Sequence, residues 1–146
     1  MTQWGKLSRP SWAVSPPNLF DIVVGFYPES QPKAGTPAHR PCLVTAVYAD
    51  EAKAVFACEI AFGTKRLKTL SRGDIDLIIQ NSTDLDEMGL AVATRFDLDS
   101  ATRVVLEWND TNFKPWTGYN TPKIGALTLP YQKDYVWLMA KRNAIG

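Results

Sequence analysis

Cysteine and histidine are both scarce in this chain of 146 residues, which contains two cysteines and one histidine. Cys42 and Cys58 lie within apolar segments, and one histidine with two cysteines does not make the pattern of a zinc site. We interpret both cysteines as small buried hydrophobic residues rather than as a disulfide. The sequence therefore predicts neither a bound metal nor any other cofactor.

Long apolar runs and an excess of one charge are also missing. No run approaches the roughly 18 apolar residues that a membrane-spanning helix needs, and the first residues lack the basic-then-apolar order of a signal peptide. We therefore expect a cytoplasmic protein that does not bind membranes. The net charge is +1, so the chain as a whole has no field that attracts nucleic acid. The local charge is less balanced than the total. One short run is basic and predicts either a basic patch or a solvated loop: Lys65, Arg66, Lys68 and Arg72.

A chain of this length forms one domain and can bury a core without disulfides. Proline, serine and tryptophan concentrate in residues 1–18. Tryptophans seldom stay fully solvated, so we predict that this segment is an ordered or half-ordered arm. The predicted domain then covers residues 19–146.

Most of the domain consists of short apolar segments that are rich in β-branched and aromatic residues and are separated by turn residues. We predict strands at residues 20–26, 42–48, 54–62, 75–79, 93–98 and 103–108. Residues 109–127 carry many prolines, glycines and aromatic residues, and we predict an irregular segment there.

Two helical segments complete the pattern. Residues 84–89 predict one short turn, with Asp84 as its cap and Gly89 at its end. Residues 131–142 predict a closing helix, because their apolar side chains recur at helical spacing. The predicted fold is mainly β: a small, SH3-like, curved β-barrel with a short helical turn and a C-terminal helix.

Arg40 begins the second predicted strand, and Thr64 follows the third. If these strands pair as a hairpin, the two residues lie near one end of one sheet. A guanidinium beside a hydroxyl suits a phosphodiester, because arginine binds phosphate oxygens with a forked geometry and remains charged at all working pH values. This pair is the leading candidate site.

The order of several motifs resembles the MazF/PemK-type toxins, small bacterial endoribonucleases of toxin–antitoxin pairs. FDIV at residues 20–23 matches the opening strand of that family, with Phe20 in place of its glycine. RPCLV at residues 40–44 matches the second strand, and Thr64 matches the threonine that ends the third, although Lys65 replaces the serine that usually follows. Residues 89–98 and 121–127 resemble later segments, so that the resemblance covers roughly residues 19–142.

This resemblance implies cleavage of single-stranded RNA, such as mRNA, by the RNA's own 2′-hydroxyl, without a metal and with a 2′,3′-cyclic phosphate product. It implies Arg40 and Thr64 as catalytic residues: Arg40 stabilises the phosphorane charge and Thr64 holds a phosphate oxygen or orients the 2′-hydroxyl. His39 adjoins Arg40 and is a possible supporting residue. The resemblance also implies a homodimer and an antitoxin protein that covers the RNA groove.

Single-stranded RNA is bound through its phosphates and through bases that stack on aromatic rings. We predict that Lys65 and Arg66 contact the RNA backbone. Trp108, Phe113 and Trp116 are candidates for base stacking, with the end of the barrel core as the other interpretation of these rings.

Two other functions remain open at the level of sequence. A catalytically inactive SH3-like barrel could bind a protein or peptide through its aromatic loops, which the neutral net charge, the extra arm and Lys65 favour. A structural or adaptor barrel could share only the fold, since a fold by itself does not fix a function.

Overall fold

The computed structural model describes residues 10–26, 39–67 and 75–145. Parts of two predicted features lie outside the described residues: the first half of the arm, and Lys68 and Arg72 of the basic run. The described elements follow in chain order: a 3-10 turn (Ser11–Val14), β1 (Asp21–Phe26), β2 (His39–Asp50), β3 (Val55–Thr64), β4 (Leu77–Ile79), α1 (Ser82–Glu87), β5 (Thr94–Phe96), β6 (Val104–Glu107), β7 (Lys123–Ala126) and α2 (Leu129–Ile145).

The described strands form one curled antiparallel sheet with the order β4-β5-β3-β2-β1-β7, and β6 pairs with β3. The long hairpin of β2 and β3 lies at its centre. Its register shifts between Val44 and Ala46, and irregularities of this kind bend a strand and increase its twist. The prediction of a mainly β, curved, barrel-like fold with a short helical turn and a C-terminal helix is confirmed.

The sheet is apolar on both faces because residues of opposite parity in the central strands are both hydrophobic. Ile22, Leu43 and Ala61 point into the first core, which α2 covers with Leu138. The second core lies on the other face and includes the following buried residues: Trp12, Ala13, Val23, Cys42, Val44, Cys58, Ile60, Phe62, Trp108 and Phe113. Both cysteines are free and fully buried. Burial raises the pKa of both thiols, to about 12 for Cys58.

The helices differ from the predictions mainly at their ends. The cap of α1 lies three residues earlier than predicted, because the Asn81 side chain, rather than that of Asp84, accepts hydrogen bonds from the Thr83 and Asp84 N–H groups. Gly89 follows this helix with a φ of +76°, a conformation that favours glycine. No helix in the described part of the chain is both long and apolar enough to cross a membrane.

Candidate functional site

A cleft of about 530 Å³ opens where β2 begins and β3 ends. Strand ends and loops supply its lining, which includes both basic and apolar side chains. The lining residues are His39, Arg40, Pro41, Gly63, Thr64, Lys65, Arg66, Leu90, Ala91, Val92, Thr94 and Trp116. Six of the eight residues that the sequence singled out are therefore brought together here.

Arg40 and Thr64 reach the cleft through the β2–β3 hairpin. The paired register of β2 and β3 ends with Cys42 opposite Phe62, so Arg40 and Thr64 each lie two residues beyond the last pair. Arg40 Nη1 donates to the Gly63 carbonyl oxygen at 3.5 Å, so the guanidinium lies across the hairpin toward the end of β3. The sheet thus places the charged group and the hydroxyl on the same wall.

Gly63 allows this close approach. A Cβ atom at this position would lie 2.7 Å from the Pro41 carbonyl oxygen and 2.9 Å from Thr94 Cγ2. Both distances are shorter than non-bonded atoms tolerate, and one involves backbone that cannot rotate away. A side chain at residue 63 would therefore push β2 and β5 away from β3 at the cleft.

The turn after β3 forms the basic wall of the cleft. The Thr64 hydroxyl oxygen accepts a hydrogen bond from the Arg66 N–H at 3.2 Å. A hydroxyl that accepts one bond can still donate its own proton, so Thr64 can hold a phosphate oxygen while it stabilises the turn. Lys65 and Arg66 also line the cleft, and with Arg40 they place three cations on a molecule of net charge +1.

His39 lies on the cleft wall with its ring centroid 4.5 Å from that of Phe26. Burial lowers the pKa of its imidazole, and the positive charge of Lys114 lowers it further. Its Nε2 atom is enclosed and has no hydrogen-bond partner among the described residues. The lowered pKa favours the neutral form of the imidazole at pH 7.

The apolar wall consists of Leu90, Ala91 and Val92, with Trp116 beside it. Leu90 is positioned by an unusually close contact between the turn after α1 and β7. A Cβ at Gly125 would lie 2.0 Å from the Met88 carbonyl oxygen, so backbone packs directly against backbone. Sequence reasoning missed this aliphatic wall, whose residues carry no polar group that would draw attention.

Trp108 and Phe113 do not line the cleft. Trp108 is 4% exposed and Phe113 is fully buried, because both rings pack together in the second core with centroids 4.7 Å apart. The Trp108 indole N–H donates to the Ser15 carbonyl oxygen at 2.9 Å. Neither ring offers a face on which a base could stack, and Trp116 is the one predicted stacking residue on the cleft.

A buried ionic network next to the cleft was also missed by sequence reasoning. Asp76 is paired with both Arg95 and Arg142, and all three side chains are at most 8% exposed. The available signal was a carboxylate within an apolar segment, between Ile75 and Leu77. Such a group is rarely buried without a paired cation.

The comparisons with known proteins add no family. No protein-family model matches this chain, and no curated protein matches it either. The resemblance to the MazF/PemK-type toxins therefore rests on the short motifs of the sequence alone.

Proposed function

We propose that this protein is a toxin-like endoribonuclease that cleaves single-stranded RNA through the RNA's own 2′-hydroxyl. The observation that best supports this function is the cleft itself, which Arg40, Thr64, Lys65, Arg66 and Trp116 line together. Cations and an aromatic ring in the lining of one groove suit a chain of phosphates with unstacked bases. The motif resemblance points to the same reaction independently.

In the proposed reaction, the 2′-oxygen attacks the adjacent phosphorus, and the bond from phosphorus to O5′ breaks. The 2′-hydroxyl proton passes to the neutral imidazole of His39, the one lining side chain of a type that titrates near neutral pH. Arg40 stabilises the negative charge that grows on the phosphorane oxygens. The leaving O5′ takes a proton from solvent, and the products carry a 2′,3′-cyclic phosphate and a 5′-hydroxyl.

The test is cleavage of a long RNA of mixed sequence in EDTA. We expect the wild type to give fragments whose 5′-hydroxyl ends accept a labelled phosphate from a kinase without prior dephosphorylation. Arg40→Ala should lower the cleavage rate about 10²–10³-fold, since it removes the group that stabilises the developing charge. Thr64→Val and His39→Gln should each lower it about 10²-fold.

Two controls make this test specific. Lys133→Ala removes one positive charge on α2, outside the cleft, and should cleave at the wild-type rate. An RNA of the same sequence with 2′-O-methyl groups should bind but stay intact, because it has no nucleophile. Cleavage of this RNA, or equal activity of all the variants, would contradict the proposed mechanism.

A second candidate function is peptide or protein binding without catalysis, in the same cleft. The aliphatic wall of Leu90, Ala91 and Val92 favours it, because such a surface accepts an apolar side chain as readily as a base. Binding of the methylated RNA without cleavage of the natural one would indicate an inactive RNA-binding barrel. Failure to bind either RNA would favour the peptide-binding module.

A homodimer and an antitoxin partner belong to the proposed endoribonuclease function, and the solution mass tests whether the protein is a dimer.

A further inference from the structure

Arg95 connects the basic wall of the cleft with the buried network. It lies on β5 directly opposite Thr64 in the β3–β5 register. Its Nε donates to the Arg66 carbonyl oxygen at 2.8 Å, and its Nη1 donates to Asp76 Oδ2 at 2.6 Å. The Arg95 side chain is 8% exposed; its bond to Asp76 is buried and its bond to the Arg66 carbonyl is partly buried.

The Arg66 peptide groups are thus held on both sides. The Arg66 N–H bonds to the Thr64 hydroxyl, and its carbonyl accepts from Arg95. Asp76 in turn is fixed by the Leu98 N–H at 3.1 Å and by Arg142 of α2. A continuous chain of polar contacts therefore runs from the C-terminal helix to the turn that carries Thr64 and the two cations.

Stability alone is a weak reason for this arrangement. Well-packed hydrophobic residues of similar volume often stabilise a fold as well as a buried ion pair does. What a hydrophobic residue could not supply is a donor to the Arg66 carbonyl. We propose that Arg95 is a positioning residue that holds the Thr64–Arg66 turn in the conformation that binds RNA phosphates. The effect of Arg95 on RNA binding rests on the proposed function, whereas its effect on the conformation of the turn does not.

Arg142 provides a matched control. It also pairs with Asp76 and is also 8% exposed, but its Nε donates to the Ile75 carbonyl oxygen at 2.9 Å rather than to the cleft turn. Arg95→Lys and Arg142→Lys each keep a cation for Asp76 and lose the forked second bond. The two variants therefore differ mainly in which backbone carbonyl loses its donor.

The first measurement is hydrogen exchange of the segment 63–67, with global stability measured in parallel. In Arg95→Lys we expect the amides of this segment to exchange about tenfold faster, because the hydrogen bond to the Arg66 carbonyl is lost. In Arg142→Lys we expect no change in their exchange. The second is binding of the 2′-O-methyl RNA over a series of salt concentrations. Arg95→Lys should weaken it about five- to tenfold and lower the salt slope by about 0.7, the value for one lost phosphate contact.

Equal effects of the two variants on the turn would overturn the proposal, because they would show a purely structural network. Unchanged exchange in Arg95→Lys would also overturn it. If either lysine variant does not fold, Arg95→Gln and Arg142→Gln allow the same comparison. If wild-type protein binds no RNA while exchange still separates the two variants, the proposed function fails and the role of Arg95 in the turn stands.

Discussion

At the residue scale, His39 is the side chain whose ionisation the fold changes most directly beside the cleft. Burial and Lys114 hold its pKa below the ordinary value of 6.5. The unfolded chain therefore binds more protons than the native protein between the lowered pKa and 6.5, and the free energy of unfolding falls as the pH drops through this window. Replacement by glutamine should remove that part of the pH dependence.

The measurement is urea unfolding of wild type and His39→Gln at several pH values from 7.5 to below 6. Wild type should lose stability relative to the variant as the pH falls. Because the chain has one histidine, its imidazole resonance gives the pKa without an assignment problem. A midpoint at or above 6.5, or parallel stability curves, would contradict this prediction.

Phe20 shows how far a single position could be interpreted in advance. The sequence identified it as the residue that replaces the opening glycine of the toxin family and as the start of the first predicted strand, whereas the strand begins at Asp21. The structure finds it with a φ of +74°, in the left-handed region that glycine occupies without strain. Its ring packs edge-on against Tyr135, with centroids 5.3 Å apart. That contact comes from α2, far along the chain, so no local pattern could have revealed it.

At the element scale, one hydrogen bond ties α1 to α2. The Tyr131 hydroxyl donates to Asp84 Oδ2 at 2.5 Å, and this bond is the main reason that the pKa of Tyr131 is raised to about 12. Tyr131→Phe should lower the free energy of unfolding at pH 7 by about 1 kcal/mol, as loss of a partly exposed hydrogen bond does. Chemical denaturation measures this change.

The pH dependence of this bond has a definite sign. Since the native pKa lies above the ordinary value of 10, the stabilisation is complete below pH 10 and is lost as the pH rises toward 12. Absorbance titration of wild type should contain a late tyrosine component that Tyr131→Phe lacks. Tyr119 is 45% exposed, and Tyr119→Phe should change neither stability nor that component, whereas equal losses in both variants would refute the assignment.

Elements with strong local patterns were predicted well. β1 and the central hairpin carry β-branched residues throughout, and α2 places Tyr131, Tyr135, Leu138 and Met139 against the first core, as their spacing predicted. β7 was missed, because Lys-Ile-Gly-Ala has little strand propensity of its own. Its strand conformation comes from pairing with β1, Asp21 opposite Ala126, and pairing between residues so distant in sequence leaves no local signal.

At the scale of the whole molecule, the described part of the arm belongs to the fold. Trp12 is 8% exposed, and its ring lies 4.9 Å from that of Trp108 across the second core. Trp12→Ala should therefore lower the free energy of unfolding by about 3 kcal/mol, the cost of emptying a buried aromatic site. Urea denaturation followed by far-ultraviolet circular dichroism measures this loss.

Trp137 supplies the control for this prediction. It is 62% exposed on α2 and contacts Lys141, whose Nζ lies 5.1 Å from the ring centroid. Trp137→Ala should change stability by no more than about 0.5 kcal/mol, as is usual for an exposed position. A loss in Trp12→Ala no larger than about 0.5 kcal/mol would contradict the prediction and show that Trp12 adds little to the core.

The sequence by itself determined the mainly β class, the central hairpin, the closing helix and the leading pair of Arg40 and Thr64. These features depend on alternation and spacing within short segments, which the chain order expresses directly. Only the tertiary structure decided that Trp116 lines the cleft while Trp108 and Phe113 fill a core, since Phe113 and Trp116 occur in one irregular segment and Trp108 directly precedes it. It alone also joined Asp76, Arg95 and Arg142, because their ion pairs form only when the curled sheet and α2 come together.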